Sequence, residues 1–406
     1  MARWRSFGFG LGAAIALGLI PVPGVAIPET AYVWQRAWTP EVRRAVAEHA
    51  ASFDQLDVLA AEVNLPGGVA LPCIDWPTVR ALRRPVALVV RIQHSPPNSA
   101  DKIVQACREI WMRARAAGVT PAELQIDFDC ASSRLAEYVA LVKAIRPELR
   151  PPRLVVTALP DWLTQPAFHP LAFAVDAFVL QVHSVARPNA DQPLVLCDPI
   201  AAQQWIRRAS LVGRPFRVAL PDYGYEVGFD SAGCYLGLAA EGENRTWPKG
   251  AAVRSGLADP AGIAALVRTL RRNPPPHLIA LSWFRLPTSN DVLCWSWPTL
   301  AAVRRGELPQ TRFDVRLLSA SSGASDIIVV NTGEGFGVPP PLALHLKRRD
   351  MLACDLDPDW HSQQDAAGGI FVRPESSDAF VPLRAGERRR IGWLRLAASS
   401  HDTISK

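Results

Sequence analysis

Short apolar runs alternate with amphipathic stretches between residues 31 and 284, and this alternation constrains the fold more than any other feature of the sequence. The amphipathic stretches, such as Ala100–Ala117 and Pro260–Arg272, repeat apolar residues at intervals of three and four, which predicts helices. The apolar runs, which predict strands, are Ala31–Trp34, Leu56–Val63, Val86–Ile92, Leu124–Asp129, Leu154–Leu159, Ala177–His183, Phe216–Leu220 and Leu278–Phe284. Eight strands joined by helices predict an α/β fold, a (β/α)8 TIM barrel, with an open doubly wound sheet as the alternative.

The sequence changes character after Leu308, where apolar runs continue but the helical period is lost. Turn residues separate these runs, a pattern typical of a small β-sandwich. The predicted strands are Phe313–Leu318, Asp326–Asn331, Leu342–Leu346, Ile370–Arg373, Ala379–Leu383 and Ile391–Leu396. We predict the boundary within Arg304–Gln310, so that the barrel spans residues 27–306 and a β-rich accessory domain spans residues 307–406.

Residues 1–26 have the order of a secretory signal peptide: Arg3 and Arg5, an uncharged apolar stretch from Phe7 to Leu19, and small residues ending at Ala26. We expect cleavage after Ala26 and a periplasmic or secreted mature protein without a membrane span. The alternative is an uncleaved membrane anchor. It is disfavoured because the apolar stretch is shorter than the roughly 20 residues that a spanning helix needs.

The chain has seven cysteines, and an oxidising compartment would permit disulfides among them. Their odd number leaves at least one thiol unpaired, and the helical pattern around Cys107 makes this residue the expected buried free thiol. No two cysteines have the spacing of a zinc site, and no Gly-rich phosphate loop is present. The sequence therefore predicts neither a metal nor a cofactor.

The net charge argues against a nucleic-acid partner. Lys and Arg number 44 and Asp and Glu 38, a net charge of +6 that is small for 406 residues. The tight basic clusters are Lys347-Arg348-Arg349 and Arg388-Arg389-Arg390, and both are expected on solvated faces. Most of the excess falls within the predicted barrel, which permits an acidic glycan as ligand but does not require one.

Three polar residues alternate along the fourth predicted strand toward its carboxyl end, which is the end where substrates bind in barrels of this kind. Gln125, Asp127 and Asp129 are spaced two apart and therefore face the same side of the strand. Two neighbouring carboxylates raise one another's proton affinity, which suits one of them to general acid catalysis near neutral pH. We predict Asp129 and Asp127 as catalytic residues. The alternative is that Asp129 caps the following helix and Asp127 is a paired core residue.

Aromatic and polar residues close the other predicted strands, a mixture that suits a saccharide ligand. The predicted substrate-binding residues are Gln125, Trp34, Arg91, Gln181, His183, Asp222, Tyr223 and Trp283. Taken singly, each tryptophan fits the core better than a sugar platform, and His183 fits a structural hydrogen bond as well as a catalytic role. The absence of Gly-x-Ser-x-Gly and His-Glu-x-x-His sequences argues against a serine hydrolase and a zinc protease.

The strand-end sequences resemble the barrel of chitinase-like glycoside hydrolases in four segments, Leu124–Asp129, Val175–His183, Val218–Gly224 and Leu281–Trp283. Two segments, Ala31–Trp38 and Gln125–Cys130, also resemble an uncharacterised bacterial family, domain of unknown function number 3142. This second resemblance covers roughly residues 30 to 400. It implies a hydrolase-like barrel with a β-rich tail and supplies no established activity.

The chitinase resemblance implies roles for individual residues. Asp129 falls at the position of the Glu general acid of that family, and Asp127 at the carboxylate that assists it. Gln125 replaces the first acidic residue of the motif, and His183-Ser184 replaces a Tyr-Asp pair that holds an acetamido group. An Asp acid is one methylene shorter than Glu. Without the Tyr-Asp pair, the sequence also departs from the pattern that supports substrate-assisted cleavage of N-acetylated sugars. Retaining and inverting mechanisms both stay open.

Together these features predict an exported glycoside-hydrolase-like protein that acts on a polysaccharide or glycoconjugate. One alternative is a carbohydrate-binding protein with a degenerate barrel that has lost turnover, which the missing Glu favours. Another is a scaffold whose C-terminal domain docks a cell-envelope partner.

Overall fold

The computed structural model describes residues 26–65, 67–96, 99–183, 188–240, 246–319, 323–347, 350–375 and 382–397. The predicted signal peptide lies outside these ranges except for Ala26. The predicted strand Ala379–Leu383 lies outside them except for its last two residues, and Ser184, Arg348 and Arg349 also lie outside.

The first twelve strands belong to the region predicted as the barrel. In chain order they are β1 (Glu29–Val33), β2 (Gln55–Asn64), β3 (Gly68–Ala70), β4 (Val86–His94), β5 (Glu123–Phe128), β6 (Leu154–Ala158), β7 (Ala177–Gln181), β8 (Phe216–Pro221), β9 (Gly224–Phe229), β10 (Tyr235–Ala239), β11 (Ala252–Leu257) and β12 (Leu278–Phe284).

The sheet closes into a barrel of eight parallel strands. Its order is β1-β2-β4-β5-β6-β7-β8-β12, and β12 pairs again with β1. The short strand β3 adds antiparallel to the end of β2. The structure thus confirms the predicted (β/α)8 barrel, because the pairing of β12 with β1 closes a ring that a doubly wound sheet would leave open.

Helices pack around the barrel between its strands. They are α1 (Pro40–His49), α2 (Trp76–Ala81), α3 (Ala100–Ala116), α4 (Leu135–Leu149), α5 (Phe168–Ala174), α6 (Pro199–Leu211), α7 (Pro260–Arg272) and α8 (Trp297–Arg304). Local sequence sets several of their starts, because an N-cap oxygen precedes a proline in the first turn. Asp259 is one example: its carboxylate accepts hydrogen bonds from the backbone N–H groups of Ala261 and Gly262, at 3.0 and 2.9 Å.

A buried ion cluster, which we call the barrel floor, lies inside the barrel near the amino-terminal ends of its strands. The guanidinium of Arg217 is 2% exposed and forms two hydrogen bonds with the carboxylate of Glu123, which is fully buried. Asp57, also fully buried, accepts hydrogen bonds from Thr30 at 2.7 Å and from Gln55 at 2.7 Å. Burial raises the pKa of both carboxyls, and the charge of Arg217 opposes this rise. The buried charges are therefore paired, as low-dielectric interiors require.

Beyond the barrel the described residues form two antiparallel sheets. The strands are β13 (Phe313–Ser319), β14 (Ser325–Asn331), β15 (Leu342–Lys347), β16 (Met351–Leu356), β17 (Trp360–Gln364), β18 (Gly369–Pro374) and β19 (Arg388–Leu396). One sheet has the order β13-β14-β19-β16 and the other β15-β18-β17. Side chains from both sheets, including Val329, Leu394 and Val372, form one apolar cluster. This cluster is separate from the barrel core.

The sequence did not predict a three-stranded antiparallel sheet inserted between β8 and α7. It has the order β10-β9-β11 and follows directly from the carboxyl end of β8. Strand β9 lies against β11 so closely that a Cβ on Gly224 would stand 2.2 Å from the carbonyl oxygen of Gly256. Because β9 begins just after the carboxyl end of β8, the inserted sheet starts at the carboxyl end of the barrel.

Candidate functional site

The polar residues of β5 form a gradient of exposure toward the carboxyl end of the barrel. Gln125 is fully buried, Asp127 is 8% exposed, and Asp129, just past the strand, is exposed to solvent. All three follow the two-residue period that places them on the inner side. Of these three residues, the two carboxylates approach the mouth, by which we mean the carboxyl end of the barrel.

Asp127 lies at the inner side of the mouth and accepts hydrogen bonds from two neighbouring strands. Its Oδ1 accepts from the Thr157 hydroxyl of β6 at 2.8 Å and from the Gln181 amide of β7 at 3.2 Å. These donors fix the position of the carboxylate. Hydrogen bonds of this kind favour the ionised form of a carboxyl group.

Asp129 shares the same amide donor as Asp127. Its Oδ1 accepts from Nε2 of Gln181 at 3.3 Å. The residue is open to solvent on one side and enclosed by the barrel mouth on the other. Desolvation on the enclosed side and the charge of Asp127 raise the pKa of Asp129 to about 7, while Arg91 acts in the opposite direction. The pair therefore contains one carboxyl poised between its acid and base forms at neutral pH.

An aromatic cluster lies beside the two carboxylates, with Phe284 at its centre. Its ring centroid is 4.9 Å from that of Trp34, 5.5 Å from Tyr32, 5.2 Å from Tyr223 and 5.8 Å from His183. Phe284 is half-buried, whereas the four rings around it are buried. Phe284 thus presents the open apolar surface of the mouth.

The guanidinium of Arg91 stands over the ring of Trp34, 5.6 Å from its centroid. The indole Nε1 of Trp34 is buried without a hydrogen-bond partner among the described residues. Trp34 is 4% exposed. Arg91, which is half-buried, therefore covers this ring and supplies a positive charge to the mouth.

His183 and Tyr223 form a neutral hydrogen-bonded pair behind Phe284. Nδ1 of His183 lies 3.2 Å from the Tyr223 hydroxyl. Burial lowers the pKa of His183 to about 4, so that the imidazole is uncharged at neutral pH. This pair can orient a polar group, but it does not add a cation to the mouth.

Three predicted site residues lie away from the mouth. Gln125 donates to the Tyr32 hydroxyl at 2.5 Å inside the barrel. Asp222 is fully buried and accepts a hydrogen bond from Cys294, at 3.6 Å, and its burial raises its pKa to about 8 against the opposing charge of Arg285. The third residue is Trp283, on β12.

Trp283 faces the helices and not the barrel interior. It is fully buried, and its indole donates to Glu29 at 3.0 Å. Ser282 lies 2.9 Å from the hydroxyl of Thr30 inside the barrel, so the two-residue period of β12 brings Phe284, and not Trp283, to the mouth. The sequence alone did not identify Phe284 as a site residue, although the inward-facing polar Ser282 two residues earlier is the signal that could have done so.

A cavity of about 850 Å³ lies elsewhere, between α1, α8 and the C-terminal sheets. Trp297, whose ring stacks on His49 at 3.8 Å, and the exposed ring of Phe336 contribute to its lining. One of its charged groups, Arg384, donates to the carbonyl oxygen of Cys294. The paired carboxylates do not line this cavity, and we therefore place the candidate site at the mouth.

The described residues contain no group of three or more His, Cys, Asp or Glu side chains placed to hold a metal ion. All seven cysteines are free, and burial raises the pKa of the Cys107 thiol to about 12. Among the residues that the structure describes, no helix combines the length and apolar character that crossing a membrane requires.

Fold and site together define a (β/α)8 barrel protein with a carboxylate pair and an aromatic cluster at the carboxyl ends of its strands. The sequence profile of the family described as Domain of unknown function (DUF3142) matches residues 82–289. The chain belongs to this family, which confirms the resemblance seen in the sequence, over a shorter range than the expected residues 30 to 400. The matched segment includes β5, β7 and β12, and therefore both carboxylates, Gln181 and Phe284.

Several solved structures are similar to this chain. A chitinase from Chromobacterium violaceum is 15% identical, with 69% of this chain and 99% of that chain covered and a TM-score of 0.46. The spore cortex-lytic enzyme SleL of Bacillus megaterium is 12% identical, with 70% and 74% covered and a TM-score of 0.48. A chitinase from Bacteroides thetaiotaomicron is 10% identical, with 70% and 97% covered and a TM-score of 0.48.

Proposed function

We propose that this protein is an exported glycoside-hydrolase-like enzyme that acts on a polysaccharide or glycoconjugate. One observation carries the proposal: two carboxylates, Asp127 and Asp129, are held by a single amide at the mouth of the barrel, beside an aromatic cluster. Carboxyl groups supply the acid and base chemistry of glycoside cleavage, and an aromatic face packs against a sugar ring.

In this proposal Asp129 is the general acid and Asp127 tunes it. A general acid works best when its pKa lies near the operating pH, and the pKa of Asp129 is about 7. Asp127 supports this role by its charge, which favours the protonated form of Asp129. The exposed position of Asp129 gives a ligand direct access to its proton.

The separation of the carboxylates argues against an inverting pair. Because one nitrogen bonds both, their Oδ1 atoms lie within about 6.5 Å of each other, the combined length of the two hydrogen bonds. Inverting enzymes place their two carboxyl groups about 6.5 to 9.5 Å apart to admit a water between them. We therefore assign the two residues as an acid and its neighbour, not as an acid and a base on opposite sides of a sugar.

The sugar would rest on Phe284, the half-buried ring of the mouth, with polar contacts from its rim. The proposed substrate-binding residues are Phe284, Trp34, Arg91, Gln181, His183 and Tyr223. Gln125, Asp222 and Trp283 are left out of the proposed site, because each is fully buried.

A glycan panel tests the proposal. The mature protein is incubated with neutral, acidic and N-acetylated polysaccharides, and products are measured by reducing-end assay and mass spectrometry. The wild-type protein should release product, and Asp129→Asn should lower the rate at least about 100-fold, the usual contribution of a general acid. The matched control is Asp161→Asn, an exposed carboxylate that bonds Ser132 outside the pair and should keep the wild-type rate.

A carbohydrate-binding protein without turnover is the second candidate. The observation that favours it is the acid itself, an Asp one methylene shorter than Glu, in a mouth whose rings other than Phe284 are buried. For this candidate, wild-type and Asp129→Asn proteins both retain a glycan on an affinity gel, and neither yields product. Retention without product refutes the enzyme and supports the binder. A protein that neither retains nor cleaves any glycan refutes both and leaves the scaffold alternative.

We also propose the division of the chain into a cleaved signal peptide (1–26), the barrel (27–306) and an accessory domain (307–406). The apolar cluster shared by the two C-terminal sheets supports a β-sandwich for the last of these. Mass spectrometry of the protein exported from a bacterial host should give a chain that begins at Ile27. A chain that keeps its first residues in the membrane fraction would favour the anchor instead.

A further inference from the structure

The side chain of Gln181 has an unusual position, because its single amide nitrogen serves both carboxylates. Nε2 lies 3.2 Å from Oδ1 of Asp127 and 3.3 Å from Oδ1 of Asp129. An amide NH₂ group has two protons, so it can donate one to each oxygen. Gln181 stands at the last position of β7, two strands away from β5, and only the closed barrel brings it there.

This arrangement leaves one oxygen of Asp129 unused. Among the described residues no group donates to its Oδ2, and the residue is exposed. Asp127 differs, because its Oδ1 also accepts from Thr157 and the residue is 8% exposed. An amide N–H donates and does not accept, so an oxygen that binds it is disfavoured as the site of a proton.

We propose that Gln181 is a positioning residue, which holds both carboxylates by their Oδ1 atoms and thereby directs the exchangeable proton to Oδ2 of Asp129, the atom open to a ligand. The catalytic benefit of this arrangement rests on the proposed function, but the experiment that tests it does not. Without Gln181 the two carboxylates lose their common donor, and the proton of Asp129 is no longer restricted to the outer oxygen.

Other groups also face Asp129 and must be separated from the effect of Gln181. Arg91 on β4 favours the ionised form of Asp129, and Asp127 on β5 opposes it. Cys130 and the buried Tyr138 of α4 are neutral at pH 7, since the pKa of each thiol or phenol is raised by burial.

The test is a carboxyl ¹³C NMR titration of the aspartates in the mature protein. Gln181→Met keeps the length and apolar stem of the side chain but removes both donors. The titration midpoint of Asp129 should rise by about one pH unit, because its ionised form loses a hydrogen bond. The matched control is Gln93→Met, which removes an amide of β4 that donates to Glu62 of β2 at 3.0 Å. It should leave the midpoint of Asp129 unchanged.

A midpoint that moves equally little in both variants, by less than about 0.3 unit, overturns the proposal. If Gln181→Met does not fold, Gln181→Asn serves in its place, because the shorter amide cannot reach both oxygens and should also raise the midpoint. Near-UV circular dichroism establishes that each variant is folded. The titration needs no ligand, so failure to cleave or bind any glycan would reject the proposed function and leave this inference to be judged on its own result.

Discussion

Replacing Asp127 by Asn isolates the electrostatic coupling on which the proposed acid depends. Asn keeps the Oδ1 acceptor for Thr157 and Gln181 but removes a negative charge within about 6.5 Å of the Oδ1 of Asp129. Two unit charges about 6 Å apart repel by about 0.7 kcal/mol in water and about 2.8 kcal/mol at an effective dielectric constant of 20. At 1.36 kcal/mol per pH unit, this corresponds to a shift of about 0.5 to 2 units.

The exposure of Asp129 places the expected shift in the lower half of that range. We expect the pKa of Asp129 to fall from about 7 to about 6 in Asp127→Asn, because the neighbouring charge that favoured the protonated form is gone. At pH 6 the protonated fraction would fall from about 90% to about 50%. If the protein cleaves a glycan, the alkaline limb of its pH–rate profile should move down by the same amount.

Carboxyl ¹³C titration measures this shift, with the resonance of Asp129 assigned by its loss in Asp129→Asn. The control variant Asp161→Asn removes a carboxylate outside the pair and should move the midpoint by less than about 0.3 unit, because solvent screens it. A midpoint that stays near 7 in Asp127→Asn would show that burial alone raises the pKa. That result would remove Asp127 from the proposed mechanism.

Two further predictions concern the barrel floor and the aromatic surface. Arg217→Met removes the buried guanidinium that pairs with Glu123 and Asp57, while Arg153 remains 3.4 Å from Glu123. The variant should lower the free energy of unfolding by about 3 to 5 kcal/mol in urea titrations, whereas Arg113→Met, at an exposed helix pair, should lower it by less than about 1 kcal/mol. Equal losses would contradict the pairing. Phe284→Ala should weaken glycan affinity, measured by calorimetry, roughly 5- to 10-fold, because it removes about 1 kcal/mol of ring contact. The control Phe173→Ala, exposed on the outer helix α5, should have no effect. Unchanged affinity in Phe284→Ala would exclude this ring as the surface on which the sugar rests.

The barrel was predictable because the spacing of apolar residues within each segment indicates whether that segment is a strand or a helix. All eight predicted strands coincide with barrel strands, and the Gln125–Asp129 alternation is reproduced as a gradient from buried to exposed. The inserted sheet was not predictable in the same way. Its strands run from Gly224 to Leu257 with glycines at positions 224, 228, 237 and 256, which interrupt the alternation of apolar residues that indicates a strand.

The contacts of the site were beyond the sequence for another reason. Gln181 meets Asp127 across 54 residues of chain, and only strand order and register bring their side chains together. Phe284 illustrates the sensitivity to register: a shift of one residue exchanges it with Trp283 and moves the aromatic ring from the mouth to the helix layer. Spacing along a strand identifies which residues share a face. Whether that face points into the barrel or toward the helices depends on contacts such as that between Thr30 and Ser282.

Polar residues inside a barrel do not by themselves mark an active site, and this protein contains both kinds. Glu123 and Asp57 at the floor are fully buried and are paired with Arg217, and Arg153 lies 3.4 Å from Glu123, so these charges interact with one another and not with a ligand. Asp129 directly follows β5, the strand of Glu123, and faces the same inner side, but it is exposed, has one oxygen without a donor among the described residues, and has a pKa near 7. The difference between the two ends of β5 is therefore a difference in access and unused hydrogen-bonding capacity, and it is this difference, not the number of polar residues, that locates the proposed chemistry at the mouth.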